Sequence, residues 1–371
     1  MTGQPHVDET HDPALRSWVE SAHADGTDFP IQNLPCGTFR HEFEERPRVG
    51  IAIGDVVLDC LEAARAGCFD SLDPSVRDAL QGWSLNGLMA LGRGDTRAVR
   101  HVASRMLRAD TIEGAAARKL QDRILVPVER TSQLVPAEIG DYTDFYASIH
   151  HATRVGRLLR PDNPLLPNYK WIPIGYHGRS SSVVASGASV RRPWGQSRKG
   201  NDGPPVYGPT ASLDYEVELA MWLCGENAIG ETVPIAEAEQ RLFGIGLLND
   251  WSARDVQPWE YQPLGPFLSK NFLTSVSPWI VTMDALAPFR APAAVREAGD
   301  PAPLPYLDDA MDRAWGGVDV TLEAAIVTAT MRESGLAPFV LSQSQAASLY
   351  WTPAQMITHH ASGGCTLRPG D

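Results

Sequence analysis

Residues 213–223, LDYEVELAMWL, alternate without interruption. Successive side chains of an extended backbone point to opposite faces, so Leu213, Tyr215, Val217, Leu219 and Met221 share one face. Asp214, Glu216, Glu218, Ala220 and Trp222 share the other. A helical period would scatter both sets. The segment is therefore predicted to be a strand, with its three acids side by side on one face of a sheet.

The texture around this strand is also β-like. From about residue 135, short strand-forming runs alternate with loops rich in glycine and proline. RRPWGQSRKGNDGPPVYGP (191–209) holds four of each, and the composition predicts no regular element there. Upstream, RVGIAIGDVVLDC (48–60) alternates around Gly54-Asp55 and predicts a hairpin with a tight turn. Val99, Val102, Met106 and Leu107 recur at helical spacing, with Asp95 predicted as the N-cap. Residues 1–27 read as a polar, loosely ordered extension. At 371 residues the chain is long for one compact domain, which predicts two, the first closing near residues 125–135. No internal repeat stands out.

A net charge of −13 argues against nucleic-acid phosphate or an anionic membrane surface as a partner. A few local arginines would still admit an anionic substrate. Five scattered cysteines with no CxxC pair fit reduced thiols better than disulfides or zinc. The opening MTGQPHVDETHDPALRSW carries acids and is no signal peptide, and no apolar run approaches the roughly 18 residues that span a bilayer. These features predict a soluble, cytoplasmic protein.

The residues that carry chemistry fall in three stretches. Glu216 and Glu218 project from the strand roughly 6–7 Å apart, where like charges raise each other's pKa unless a cation lies between them. Taken alone, such a pair is a weak signal, and a solvated face of an edge strand is its plainer explanation. In FGIGLLNDWSARDVQPWEYQPLGPFLSKNF (243–272) an apolar run ends in Asn249-Asp250, so that Asp250 either points into a crevice or caps the next turn. A helix start is predicted over Ser252–Asp255. DYTDFYASIHHATRVG (141–156) adds Asp144, two tyrosines and the adjacent His150 and His151. Four carboxylate ligands of this kind suit Mg²⁺ or Ca²⁺ rather than zinc. An imidazole beside a cation-held water is a suitable general base. Arg254, Gln257, Tyr261 and Lys270 offer donors for a developing oxyanion. His359, His360 and the glycines of GYHGR (175–179) read as structural.

Together, DFPIQNLPCGTF, IGDYTDFYASIHHATRVG, IPIGYHGRSSSVV, LDYEVELAM, NDWSARDVQPWEYQPLGPFLSKNF and ITHHASGGCTLRPGD resemble the fumarylacetoacetase family from about residue 28 onward. That resemblance implies a mostly β fold with some α. A small N-terminal β-rich, SH3-like barrel domain (28–130) would precede a larger catalytic domain of coiled mixed β structure (131–371). It further implies a homodimer that hydrolyses the carbon–carbon bond of 4-fumarylacetoacetate, a β-diketo acid, to fumarate and acetoacetate at the end of tyrosine and phenylalanine breakdown. The family's Ca²⁺ ligands match Asp144, Glu216, Glu218 and Asp250, and its Mg²⁺ site matches Asp250, Lys270 and Thr274. Its general base matches His151, its substrate contacts Tyr146, Arg160, Gln257 and Tyr261, and its oxyanion group Arg254, Gln257 and Lys270.

In the family a further stretch follows the position of Asp371, carrying a substrate-binding threonine and a glutamate that orients the histidine. The catalytic domain is therefore expected to be incomplete at its C-terminal end. Two other functions fit the same residues: an acylpyruvate hydrolase or decarboxylase of the wider superfamily, and an inactive chain kept for metal binding or dimerisation.

Overall fold

A computed structural model describes residues 4–198, 200 and 203–371. Its main body is one curled, mixed sheet of ten strands. The strands in chain order are β1 (Cys36–His41), β2 (Arg48–Ile53), β3 (Val56–Asp59), β4 (Leu125–Pro127), β5 (Thr131–Gln133), β6 (Thr143–Phe145), β7 (Gly175–His177) and β8 (Val183–Ala185). Then come β9 (Trp194–Ser197), β10 (Val206–Pro209), β11 (Leu213–Asp214), β12 (Val217–Leu223), β13 (Leu242–Asp250), β14 (Ser252–Ala253), β15 (Thr274–Val276) and β16 (Trp279–Thr282). The main sheet runs β4-β3-β2-β1-β16-β13-β15-β8, with β12 added to β13 and β5 to β1.

The predicted hairpin is β2–β3, turning on Gly54-Asp55. Gly54 has φ of 55° and its Cα lies against Ser21, so a β-carbon would be 2.2 Å from the Ser21 hydroxyl. The strand predicted over 213–223 forms as β11 and β12 with a break at Tyr215–Glu216. Its two faces are not apolar-in and polar-out. Leu219 and Met221 pack on one core cluster, while Ala220 and Trp222 join the main core on the acid-bearing face.

Four expectations change. Residues 4–27 are not loose: Leu15, Trp18, Val19 and Ala22 are buried, and the Trp18 indole donates to the Met106 carbonyl at 2.9 Å. The helix predicted from Asp95 spans Arg93–Leu107 with Gly92 before it, leaving Asp95 in the first turn where it complements the helix dipole. The loop 191–209 contains the hairpin β9–β10, because Gly195 lets that ribbon approach Val256, where a β-carbon would sit 2.8 Å away. Lys199, Asn201 and Asp202 of that loop lie outside the described residues. Finally, Ser252-Ala253 form β14 against β11, and the helix begins only at Gln257.

The first third is a mixed unit of strands β1–β5 and several helices, and it is continuous with the rest. Cys36 and Gly37 of β1 pair with Ile280 and Trp279 of β16, and the main core mixes Ile51, Leu58 and Val99 with Trp222, Phe243 and Ile280.

Candidate active site

Two strands of the sheet deliver the first two carboxylates. β12 and β13 run antiparallel with Glu218 opposite Leu248, and Asp250 ends β13 opposite Thr274 of β15. Asp250 lies between the neighbouring strands β12 and β15 and is 1% exposed, so its carboxylate has little water to face. The third comes from the ribbon β6–β7, in which Thr143 faces His177 and Asp144 faces Tyr176. Alternation gives this ribbon two faces. Asp144 and Tyr176 look toward the main sheet, where the Tyr176 hydroxyl donates to Asp250 at 3.3 Å. Thr143, Phe145 and His177 look away, toward His360, whose Nε2 lies 2.8 Å from the Thr143 hydroxyl.

Carboxylate oxygens of Asp144, Glu218 and Asp250 converge within 4.8 Å of one another. Burial, then the neighbouring Asp250 charge, pushes the Asp144 carboxyl up to about 7. Glu218 is raised further by burial and by Asp144, Glu216 and Asp250, and Asp250 is raised by burial despite Lys270. Glu216 behaves oppositely. Burial works against its charge, but Lys270 and Arg254 overcome it and hold the carboxyl down to about 2. The difference within the pair is geometric: Glu216 meets two cations, with Lys270 Nζ at 2.5 Å and Arg254 Nη2 at 2.6 Å, and Glu218 lies with the other acids.

Lys270 is 7% exposed and bridges Glu216 to Asp250, 2.8 Å away. Burial lowers its proton affinity, but the Glu216 and Asp250 charges more than restore it, so the ammonium stays protonated. In this arrangement Lys270 is the counter-charge of Glu216 and Asp250, and the Thr274 hydroxyl donates to Asp250 at 3.1 Å while its oxygen lone pairs stay able to accept. Asp144, Glu216, Glu218 and Asp250 bring four negative charges when ionised, against one each from Lys270 and Arg254, and Arg254 also serves Asp214 at 2.7 Å. A hard divalent cation fits that donor set and that charge excess.

The base stands beside it. Ser148 caps the helix Ile149–Leu159 by accepting from the His151 amide, which fixes His151 in the first turn. Tyr146 stacks edge-on to the His151 ring at 5.5 Å, and His151 Nε2 lies 3.7 Å from Glu216. Burial lowers the pKa of His151, more than Glu216 raises it, so the imidazole is neutral near pH 7. Arg160 ends the same helix with its Nε buried and unpartnered. Arg254 Nη1 donates to the Gln257 carbonyl oxygen at 3.0 Å, which leaves the Gln257 amide NH₂ free to donate. Tyr261 follows that helical turn, its hydroxyl accepting from Gln262 at 3.1 Å.

Sequence reasoning missed two phenols, Tyr142 and Tyr176. Both are raised above the usual tyrosine range, chiefly by burial and then by the Asp144 and Asp250 carboxylates. In the sequence the GYHGR segment that holds Tyr176 reads only as a turn, and the signal it offers is a tyrosine between two glycines.

Clustered buried carboxylates, a neutral imidazole and a group of cationic donors make up a site of the metal-assisted hydrolytic class. Residues 32–136 match the Fumarylacetoacetase N-terminal family and residues 142–371 the Fumarylacetoacetate (FAA) hydrolase C-terminal family. The chain is 43% identical over 351 residues to fumarylacetoacetase of Rattus norvegicus, covering 94% of this chain and 81% of that protein. It is 42% identical over 349 residues to that of Homo sapiens, with the same coverage of 94% and 81%. A crystal structure of Cg1458 with inhibitor aligns over 91% of this chain and 86% of its own, with TM-score 0.51 and 11% identity, a likeness of fold alone. The chain belongs to the fumarylacetoacetate hydrolase family.

Proposed function

We infer that the chain hydrolyses 4-fumarylacetoacetate to fumarate and acetoacetate, the last step of tyrosine and phenylalanine breakdown. The observation that carries the reading is the convergence of Asp144, Glu218 and Asp250 beside a neutral His151. These three carboxylates would hold Mg²⁺ or Ca²⁺, with Glu216 at their edge. The bound cation would act as a Lewis acid on the oxygens of the β-diketo substrate.

The protein's own groups do the rest. His151 takes a proton from water, and the water oxygen bonds to the scissile carbonyl carbon. Arg254, the Gln257 amide and Lys270 donate to the resulting oxyanion; removing one such donor costs about 3–4 kcal/mol of barrier lowering. When the carbon–carbon bond breaks, its electron pair leaves with acetoacetate as an enolate, and the imidazolium returns its proton to that carbon. Arg160 and Tyr146 are suited to a substrate carboxylate, the unpartnered Arg160 Nε supporting that role. Glu216, close to His151 Nε2, favours the imidazolium electrostatically.

The division into an N-terminal unit over 28–130 and a catalytic unit over 131–371 is supported by the two family matches, which break between residues 136 and 142. A homodimer is supported by the hairpin Thr321–Ile326/Phe339–Gln345, which exposes Ile326, Phe339, Val340 and Leu341; light scattering would give the mass. Among the described residues no helix is long and apolar enough to cross a membrane. We place the protein in the cytoplasm, a reading that its five free cysteines support.

The test follows loss of fumarylacetoacetate ultraviolet absorbance by the purified chain, with chelator and with added Mg²⁺ or Ca²⁺. Cation-dependent turnover is expected. No turnover from a folded, cation-binding chain would refute the reading. His151→Ala is expected to lower the rate ~10²–10⁴-fold with cation binding intact, and unimpaired hydrolysis would remove His151 from the base role.

A further inference from the structure

The ribbon β6–β7 extends by one residue pair beyond Thr143 and His177. The Gly178 amide donates to the Tyr142 carbonyl at 2.8 Å, so Tyr142 stands opposite Gly178. Tyr142 is two residues from Asp144 and therefore on the same face, the face that looks at Asp250 and Glu218. Gly178 is what lets the ring lie there. A β-carbon on it would fall 2.2 Å from the Tyr142 ring, against the Cδ1 atom. The ring thus lies over bare backbone with its hydroxyl carried toward the carboxylates.

That hydroxyl is buried and has no hydrogen-bond partner. The other phenol on this face is satisfied, since Tyr176 donates to Asp250. A buried hydroxyl left unpaired disfavours the state in which it is unpaired, and a polar atom in that position needs an explanation in a ligand or a water. Mg²⁺ keeps several waters when protein-bound and Ca²⁺ sites commonly include them. Partners one step removed from a metal tune its affinity.

We propose that Tyr142 is a positioning residue of the cation site, its hydroxyl hydrogen-bonding a water that the cation brings. The inference rests on the cation-site reading above and adds to it a residue outside the ligand set. Two consequences of opposite sign follow. Without cation, Tyr142→Phe removes an unpaired polar atom, so the chain is as stable as wild type or more so. With cation, the variant loses a contact, so it binds more weakly.

The experiment compares wild type and Tyr142→Phe by thermal unfolding in chelator and across a Ca²⁺ titration, with Tb³⁺ luminescence as a second measure of affinity. The expected result is an unfolding temperature in chelator equal to or above wild type, with roughly tenfold weaker Ca²⁺ and Tb³⁺ binding. Gly178→Ala, which displaces the same ring, is expected to weaken the cation similarly. Equal cation affinity in wild type and Tyr142→Phe would overturn the proposal while leaving the cation site standing. A variant less stable than wild type in chelator would also overturn it, because the hydroxyl would then have a partner within the protein. If wild type itself shows no Ca²⁺ or Tb³⁺ effect, the cation-site reading fails and this inference with it.

Discussion

Replacing Lys270 by methionine would remove the one cation among the described residues that touches both Glu216 and Asp250, while keeping the volume of the side chain. Removing one partner of a buried ion pair costs about 3–5 kcal/mol, because the remaining charge stays buried. Here two carboxylates lose a partner at 2.5 and 2.8 Å, but proton uptake limits the damage. Burial raises Glu216 and Asp250 and Lys270 opposes it, so without Lys270 both carboxyls shift upward and their protonated forms are favoured in the folded variant. A raised folded value confers stability that is complete at low pH and lost as pH rises through that value. The deficit of Lys270→Met is therefore largest at pH 8, at about 3–5 kcal/mol, and at least halves by pH 5. For a chain of this size that corresponds to roughly 4–6 °C in unfolding temperature at pH 8. Calcium at about a hundred times its Kd would return up to ~2.7 kcal/mol at pH 8. Urea unfolding followed by tryptophan fluorescence, in chelator and in Ca²⁺, at pH 5 and pH 8, measures the deficit under all four conditions. A deficit below ~1 kcal/mol at pH 8, or one indifferent to both pH and Ca²⁺, would refute Lys270 as the counter-charge of this cluster.

Other substitutions probe separate parts of the structure. Asp312, pushed up to about 6 by burial, holds both carboxylate oxygens near the Thr352 hydroxyl, at 2.8 and 2.9 Å, where they share its single proton. Its charged form strains the fold above pH 6, so Asp312→Asn should be about 1–3 kcal/mol more stable than wild type at pH 8, with the advantage gone near pH 4, as urea midpoints would show. Arg254→Lys replaces a planar fork reaching Asp214, Glu216 and Gln257 with a point charge, and kcat should fall ~10²–10³-fold with little change in Ca²⁺ affinity. Trp18→Ala should cost about 3–5 kcal/mol in chemical denaturation, whereas a loosely ordered extension would lose nothing.

The sequence is informative where the signal is local. The alternation of 213–223, the Gly54-Asp55 turn and the carboxylate closing the apolar run of β13 are each written within a dozen residues, and each forms. Signals that depend on distant partners are not legible in the sequence. Gly195 and its neighbours look like loop until Val256 supplies the surface against which β9 and β10 lie. Trp18 looks like part of a polar tail until the Met106 carbonyl receives its indole. For the site, residue type and spacing nominate Asp144, Glu216, Glu218 and Asp250. They do not reveal that Glu216 turns to Lys270 and Arg254 while the other three face one another. Nor could they find Tyr142, whose direction is set by the missing side chain of a glycine thirty-six positions away.

The pairing of β1 with β16 gives the family's two segments a shared fate. Cleaved near residue 136, the first segment would carry away a strand whose Cys36 and Gly37 had been hydrogen-bonded to Ile280 and Trp279, along with core side chains that had covered Phe243 and Trp222. Each half would then present a bare strand edge beside apolar surface, the combination that drives unrelated chains together. The N-terminal segment is therefore not a module that can be lent to another enzyme, and pulling the two segments apart after such a cut should end in precipitation rather than in two soluble pieces.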